Sequence, residues 1–276
     1  MPELPEVEVV LRGLRPHLLG KTITGVNHSG KHLRVPVPFT EMAASLPGRK
    51  VVDIRRRAKY LIILFDNGMQ QVIHLGMTGK IGIFATGAAP QPHDHVVWHL
   101  DGNREMRFND VRRFGSLHLL KPDEADDLEK TVIRNTGPEP FDPSFNGSYL
   151  YKKAQGKSKP VKSFIMDNST VAGIGNIYAN ESLYAAGIRP TKPCGRVSKK
   201  KWQQLTEEIR KVLLFAIECG GSTISDFLGA SGEQGYFQIN FKVYGKKDMP
   251  CPCCSTPLKQ VKIGGRASFF CPRCQH

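Results

Sequence analysis

The spacing of apolar residues along this chain changes character twice. In PEVEVVLRGLRPHLLG, residues Val7, Val10, Leu11, Leu14 and Leu18 recur at helical spacing and the run stops at Gly20, so the chain is expected to open with an amphipathic helix. From about residue 22 to 120 the pattern becomes that of short strands. TITGVNH, KVVDIRR, YLIILFD, QQVIHL, KIGIFA, HVVWHL, EMRF and GSLHLL are rich in β-branched residues and punctuated by DNG, PG and DGN turns. Strands spaced this way suggest a two-sheet sandwich with the first helix laid against it. The segment TGPEPFDPSFNG, residues 136–147, holds three prolines and two glycines and reads as an interdomain linker. Helical spacing returns from about 148. SKKKWQQLTEEIRKVLLFAIECGG begins with a serine cap and stops at a double glycine. A shorter helix is expected through NIYANESLYAAG, and the tail from about 242 is short, basic and rich in cysteine. The expected organisation is a multidomain α+β chain: residues 1–135, the linker 136–147, a helical domain 148–241 and a cysteine-rich tail 242–276.

Composition narrows the class. Hydrophobic residues make up 40% and charged residues 23% of the 276, a globular balance. No apolar run is long enough to span a bilayer and no secretory signal pattern is present, which makes a cytoplasmic or nucleoid location the expectation. The net charge of +14 is uneven. Residues 1–145 carry 19 Lys+Arg against 17 Asp+Glu, whereas residues 146–276 carry 20 against 8. A lysine-rich solvated surface is the ordinary explanation. Such concentration in one half nevertheless favours a polyanion, and no lipidation signal or long basic amphipathic helix argues for a membrane. Nucleic acid is the leading partner.

Five of the seven cysteines crowd into the last 26 residues. Cys251 and Cys254 form one CxxC pair, Cys271 and Cys274 another, with 16 residues between them. Four thiolates at this spacing suit a tetrahedral zinc site closed to water and therefore structural, while two disulfides are a poor fit to a cytosolic chain. Cys253 falls off the pattern. The connecting KIGGRASFF reads as a hairpin with Gly264 and Gly265 at its turn and Arg266 beside them. Gly173 and Gly175 lead into a helix start at Asn176, a turn suited equally to helix packing and to a phosphate contact. HDH at 93–95 is read as polar loop lining, with His93 the candidate contact. RRRAK at 55–59 is read as opening a strand with Arg55, Arg57 and Lys59 on one, ordinarily solvated, face. DVRRFG at 110–115 is read as extended, with Arg112 and Phe114 on one side. That pair suits a wedge into a base stack in a DNA binder, and Phe114 would be core in an ordinary domain.

MPELPEVE, RRAKYL, HLGMTG, HDH, RRFG, MDN…GIGNIYANE, GYF and the four-cysteine tail, in that order, resemble the bacterial formamidopyrimidine-DNA glycosylase family over essentially the whole length. The resemblance implies an N-terminal helix plus β-sandwich that carries catalysis, a helix–two-turn–helix DNA-binding domain and a C-terminal zinc-finger hairpin. It implies a bifunctional glycosylase and AP lyase that removes oxidised purines, 8-oxoguanine and formamidopyrimidines, from damaged double-stranded DNA. The implied protein is a monomer with one structural zinc and no small-molecule cofactor. Removal of Met1 would free Pro2 as a secondary amine titrating near ~7.7–8.0, with Glu3 as the neighbouring acid/base. Lys59 is implied as a basic contact and proton donor in β-elimination, and Arg266 in phosphate contact and δ-elimination. His93, Arg112, Lys157 and Asn176 are implied DNA contacts. Met77, Arg112 and Phe114 would fill the space left by a flipped nucleotide. ASGEQGYF, residues 230–237, matches the loop that closes over the base. The alternative is the endonuclease VIII branch, which acts on oxidised pyrimidines and begins Pro-Glu-Gly where Leu4 stands here.

Overall fold

The structure is a computed structural model that describes residues 2–125, 128, 131–221, 227–228 and 241–276. These residues form two compact units, Met1–Arg134 with Cys219–Gln238, and Asn135–Glu218 with Ile239–His276. Met1 and the segment 230–237 lie outside the described residues.

The first unit is a sandwich. Helix α1 (Leu4–Leu18) buries Val7, Val10, Leu11, Leu14 and Leu18, the residues whose spacing predicted it. All eight expected strands form: β1 (Ile23–His28), β2 (Val51–Arg57), β3 (Tyr60–Phe65), β4 (Gln70–His74), β5 (Gly79–Ala85), β6 (Asp94–Leu100), β7 (Arg104–Asp110) and β8 (Ser116–Leu120). They pair as one sheet of order β2-β3-β4-β8 and a second of order β1-β6-β7-β5. The second sheet is extended by β9 (Phe227–Leu228), which runs parallel to β5. Helix α2 (Phe39–Ser45) follows β1 and α3 (Pro122–Ala125) follows β8. The core joins α1 to the inner faces of both sheets through Val10, Leu14, Ile54, Ile63, Ile81, Trp98 and Phe108. Strand β7 departs from simple alternation. Glu105 and Arg107 are buried on its outer face, where the Arg107 guanidinium is held by Glu105, by Asp94 at 3.3 Å and by the Ala89 carbonyl at 2.9 Å.

Three local readings are corrected. HDH is not loop lining beyond His93, because Asp94 opens β6 and His95 is buried within it. RRRAK does not open a strand; β2 ends at Arg57, and Ala58 and Lys59 form the two-residue turn into β3, with Arg57 facing Tyr60. Ala58 takes φ 53°, a left-handed conformation that costs free energy for any residue with a Cβ, so Lys59 leaves the alternation of its neighbours. Nor is DVRRFG extended. It turns, with Arg113 at φ 56°.

The second unit is helical with a zinc hairpin. Helices α4 (Gly147–Ala154), α5 (Val161–Ile165), α6 (Asn176–Ala185) and α7 (Lys199–Glu218) enclose a core containing Phe164, Tyr178, Trp202 and Leu213. The Ser198 hydroxyl accepts the Lys201 N–H at 3.3 Å, capping α7 as its sequence predicted. Residues 136–147 pack within this unit, where Arg210 donates to the carbonyls of Pro140 and Phe145 and Phe145 is fully buried. The hairpin of β10 (Lys259–Ile263) and β11 (Arg266–Phe270) turns at Gly264 and Gly265, φ 53° and 77°. Two successive left-handed residues are what a tight turn of matching twist requires.

Three polar residues bind the C-terminal tail to the helices. Lys162, 1% exposed, donates to Asn176 Oδ1 at 2.6 Å, to the Ala267 carbonyl at 2.9 Å and to Ser268 Oγ at 2.6 Å. Asn180 Oδ1 accepts the Phe269 N–H at 2.7 Å. The Glu181 carboxylate accepts the backbone N–H groups of Lys242, Val243 and Tyr244 at 2.8–3.0 Å. Replacing Lys162 by Met would leave three acceptors, Ser268 Oγ fully buried among them, without this donor. Urea titration of Lys162→Met is expected to show this unit destabilised by about 2–4 kcal/mol.

Candidate nucleic-acid interface and metal centre

In the first unit, two loops are locked together. The β4–β5 loop carries Met77 and the β7–β8 loop carries Arg112 and Phe114. Gly76, at φ 67°, is where they meet: a Cβ there would stand 2.4 Å from the Gly115 nitrogen, so any other residue would push the loops apart. Thr78 Oγ1 donates to Asp110 Oδ1 at 2.5 Å and accepts the Arg112 N–H at 3.1 Å. Gly115 N–H donates to Asp110 Oδ2 at 2.8 Å. On this base Met77 and Phe114 remain 41% and 43% exposed, an unusual condition for large apolar side chains. The Arg112 guanidinium lies 4.6 Å from the Phe114 ring centroid, a cation–π contact that holds the two side by side. Met77 and Phe114, with Arg34, His74 and Gly76, line a cleft of about 380 Å³.

His93 precedes β6 in a left-handed conformation, φ 72°, with an exposed side chain. Its neighbour His95 is buried, its Nε2 2.9 Å from the Asp110 carbonyl and its Nδ1 3.1 Å from Ser29 Oγ. Burial holds the His95 imidazole below the ordinary histidine range, so it is neutral and donates through Nε2.

Pro2 and Glu3 are buried at the start of α1. Glu3 is the N-cap, and its N–H donates to the Glu6 carboxylate at 2.8 Å in a capping box, a role that the sequence reading did not give it. Lys59, half-buried in its turn, lies close enough for its charge to act on His74. The His74 Nδ1 accepts the Gly76 N–H at 3.0 Å and its ring lies tilted against Tyr60, 4.8 Å between centroids. Burial first, then the charges of Lys59 and Arg34, push His74 down to about 4.

In the second unit, Asn176 is the first residue of α6, its Oδ1 committed to Lys162. That bond fixes the amide so that Nδ2, a donor, is the end left without a partner among the described residues. Arg266 is exposed at the first position of β11. Among the nearby lysines, Lys162 is buried and Lys159 pairs with Asp167 at 2.9 Å, while Lys157 is exposed with its ammonium 5.5 Å from the Phe164 ring. Sequence reasoning missed Thr78, Asp110, Lys162, Asn180 and Glu181, all of which act by holding other groups.

The thiols of Cys251, Cys254, Cys271 and Cys274 lie within 4.8 Å of one another, and Cys253 is exposed outside the cluster. Closer pairs stand at 3.4, 3.5 and 3.9 Å. Zinc bonded to four sulfurs at ~2.3 Å needs them about 3.8 Å apart, so the four donors fit one tetrahedral ion and leave no position for water. The ion is structural.

Residues 1–117 match the formamidopyrimidine-DNA glycosylase N-terminal domain, 136–228 its H2TH domain, and 250–276 the zinc finger found in FPG and IleRS. Loops built this way on such a scaffold define a DNA glycosylase of the helix–two-turn–helix class. A formamidopyrimidine-DNA glycosylase of Hahella chejuensis is 46% identical over 275 residues, covering 100% of both chains. The structure of Lactococcus lactis Fpg with DNA containing an abasic site superposes with a TM-score of 0.89 at 33% identity, covering 99% of each chain. MutM bound to DNA containing carbocyclic 8-oxo-G gives 0.89 at 31% identity, covering 100% of each. The chain belongs to the formamidopyrimidine-DNA glycosylase family and is an enzyme of that class.

Metal analysis is expected to return one zinc per chain, and Cys271→Ser to abolish stoichiometric binding. A second expectation concerns acid. Unfolded His74 titrates near ~6.5 and folded His74 at about 4, so below pH ~6.5 the unfolded chain takes up the proton first. Stability should fall as pH drops from ~6.5 toward ~4, with His74 contributing about 3 kcal/mol of the loss. Thermal melts of wild type and His74→Gln across that window should converge at the acid end.

Proposed function

We propose that this chain is a bifunctional DNA glycosylase and AP lyase that excises 8-oxoguanine and formamidopyrimidines from damaged duplex DNA. It acts as a monomer at the nucleoid. The observation that carries the reading is the wedge: two exposed apolar side chains and a stacked guanidinium held rigidly on locked loops. Extruding a nucleotide costs a few kcal/mol in lost stacking and pairing, and Met77, Arg112 and Phe114 can replace part of that stacking. Support comes also from relatives bound to DNA with an abasic site and with carbocyclic 8-oxo-G.

Chemistry then falls to Pro2. Once Met1 is removed, the Pro2 secondary amine attacks C1′, a nitrogen–carbon bond forms and the glycosidic bond breaks, the amine losing its proton and the departing base taking one up. Glu3 protonates O4′ as the sugar ring opens to an iminium. That cation draws electrons from C2′, a C2′ proton departs and the 3′ phosphate is eliminated; a second elimination releases the 5′ phosphate. Lys59 serves as proton donor in the first elimination and Arg266 contacts phosphate during the second. The capping box supports the Glu3 role, because it fixes that backbone beside Pro2. Exposed His93 and Lys157, and Asn176 with its oriented amide donor, suit phosphate contacts. The zinc supplies no chemistry; it holds the hairpin that presents Arg266.

The test is borohydride trapping on an 8-oxoguanine:C duplex, with a thymine-glycol duplex in parallel. Wild type should form a covalent adduct with the purine substrate, and Pro2→Gly should lower its yield by about tenfold or more. Undiminished trapping by Pro2→Gly, or an intact mass that retains Met1, would overturn the mechanism. Preference for thymine glycol would move the chain to the pyrimidine branch.

A further inference from the structure

We propose that Asp110 is the positioning residue for base extrusion, a single buried carboxylate that aligns all four expected DNA-contacting side chains of the first unit. Asp110 has 0% exposure, and its bonds run in every direction. Its N–H donates to the His93 carbonyl at 3.1 Å, and its carbonyl accepts from His95 Nε2 at 2.9 Å and from the Arg113 N–H at 3.3 Å. Its carboxylate accepts from the Thr78 hydroxyl and from the Gly115 N–H. Each of the four contact residues is one of these partners or adjoins one: His93 itself, Met77 beside Thr78, Arg112 beside Arg113, and Phe114 beside Gly115.

The geometry requires such a device. His93 and Arg113 both hold left-handed backbone conformations, φ 72° and 56°, which persist only where surrounding bonds over-determine them. Register supplies the meeting point, because Asp110 pairs with Gly79 across β5 and β7 and so stands beside Thr78. A buried carboxylate without these donors would be costly, so the bonds and the loop positions are set together. Asp110 itself touches no substrate. It acts through the wedge.

This inference rests on the glycosylase reading, and the experiment separates the two. Two substrates differ in how much extrusion they demand: an 8-oxoguanine:C duplex, whose lesion is paired and stacked, and a duplex with a preformed abasic site, which has no base to unstack. Single-turnover rates are measured on both for wild type, Asp110→Asn and Thr78→Val. Thr78→Val keeps its shape and leaves the carboxylate in place, so it remains informative if Asp110→Asn fails to fold. Both variants are expected to slow cleavage of the 8-oxoguanine duplex by about tenfold or more, while abasic-site cleavage stays within about threefold of wild type. A 2-aminopurine placed next to the lesion should show a smaller unstacking signal in the variants. Equal losses on both substrates with Thr78→Val, or no loss on either, would overturn the proposal. Inactivity of wild type itself would instead sink the glycosylase reading.

Discussion

A carboxylate removed from water must have its charge met by donors, and in the first unit that requirement fixes the loops. Asp110 sits where β7 ends and the exposed loop begins, and Thr78 and Gly115 supply the donors its side chain needs. The loops that carry Met77, Arg112 and Phe114 are therefore not free ends of a sandwich. They are extensions of its core. Apolar and cationic groups on their outer surface gain a rigid base without being buried themselves, as the proposed wedge would need.

The second unit solves a similar problem with opposite charge. Lys162 is a cation with almost no exposed surface, and its three partners come from the start of α6 and from β11. Glu181 performs the complementary task on the chain leading into the finger, gathering three successive N–H groups. Neither is bound for strength alone. A fully satisfied buried polar group rejects alternative packings, because any shift leaves it unpaired. Asn176 benefits directly, since accepting from Lys162 settles which end of its amide is the oxygen end.

Much of this was legible in the sequence, and the exceptions have physical causes. Eight strands and three of the helices follow from apolar period and turn residues, because burial on one face writes that period into the chain. The zinc ligands were legible for a stricter reason: four sulfurs around one ion demand fixed short spacings. Helix α2, seven residues long, is too short to establish a period. The position of Lys59 was misread because alanine gives no signal of a left-handed turn. Asp110 was invisible for a deeper reason. Its partners at 78, 95 and 115 are assembled by strand register, and no local pattern records that assembly. Arg107 and Glu105 are buried on the face that simple alternation would turn to solvent, and no local pattern records the partners that hold them.

The bonds from Lys162, Asn180 and Glu181 across to the finger bear on how this chain can be recombined. A four-cysteine hairpin looks like a portable cassette, complete with its own metal. Excised here and joined to another host, it would arrive with the Ala267 carbonyl, Ser268 Oγ and the Phe269 N–H stripped of the side chains that satisfy them. A recipient would need a buried cation and an amide at matching places before the graft held its orientation. Helices and finger are thus a single unit of inheritance, and a crossover between them would scramble it even where both halves fold.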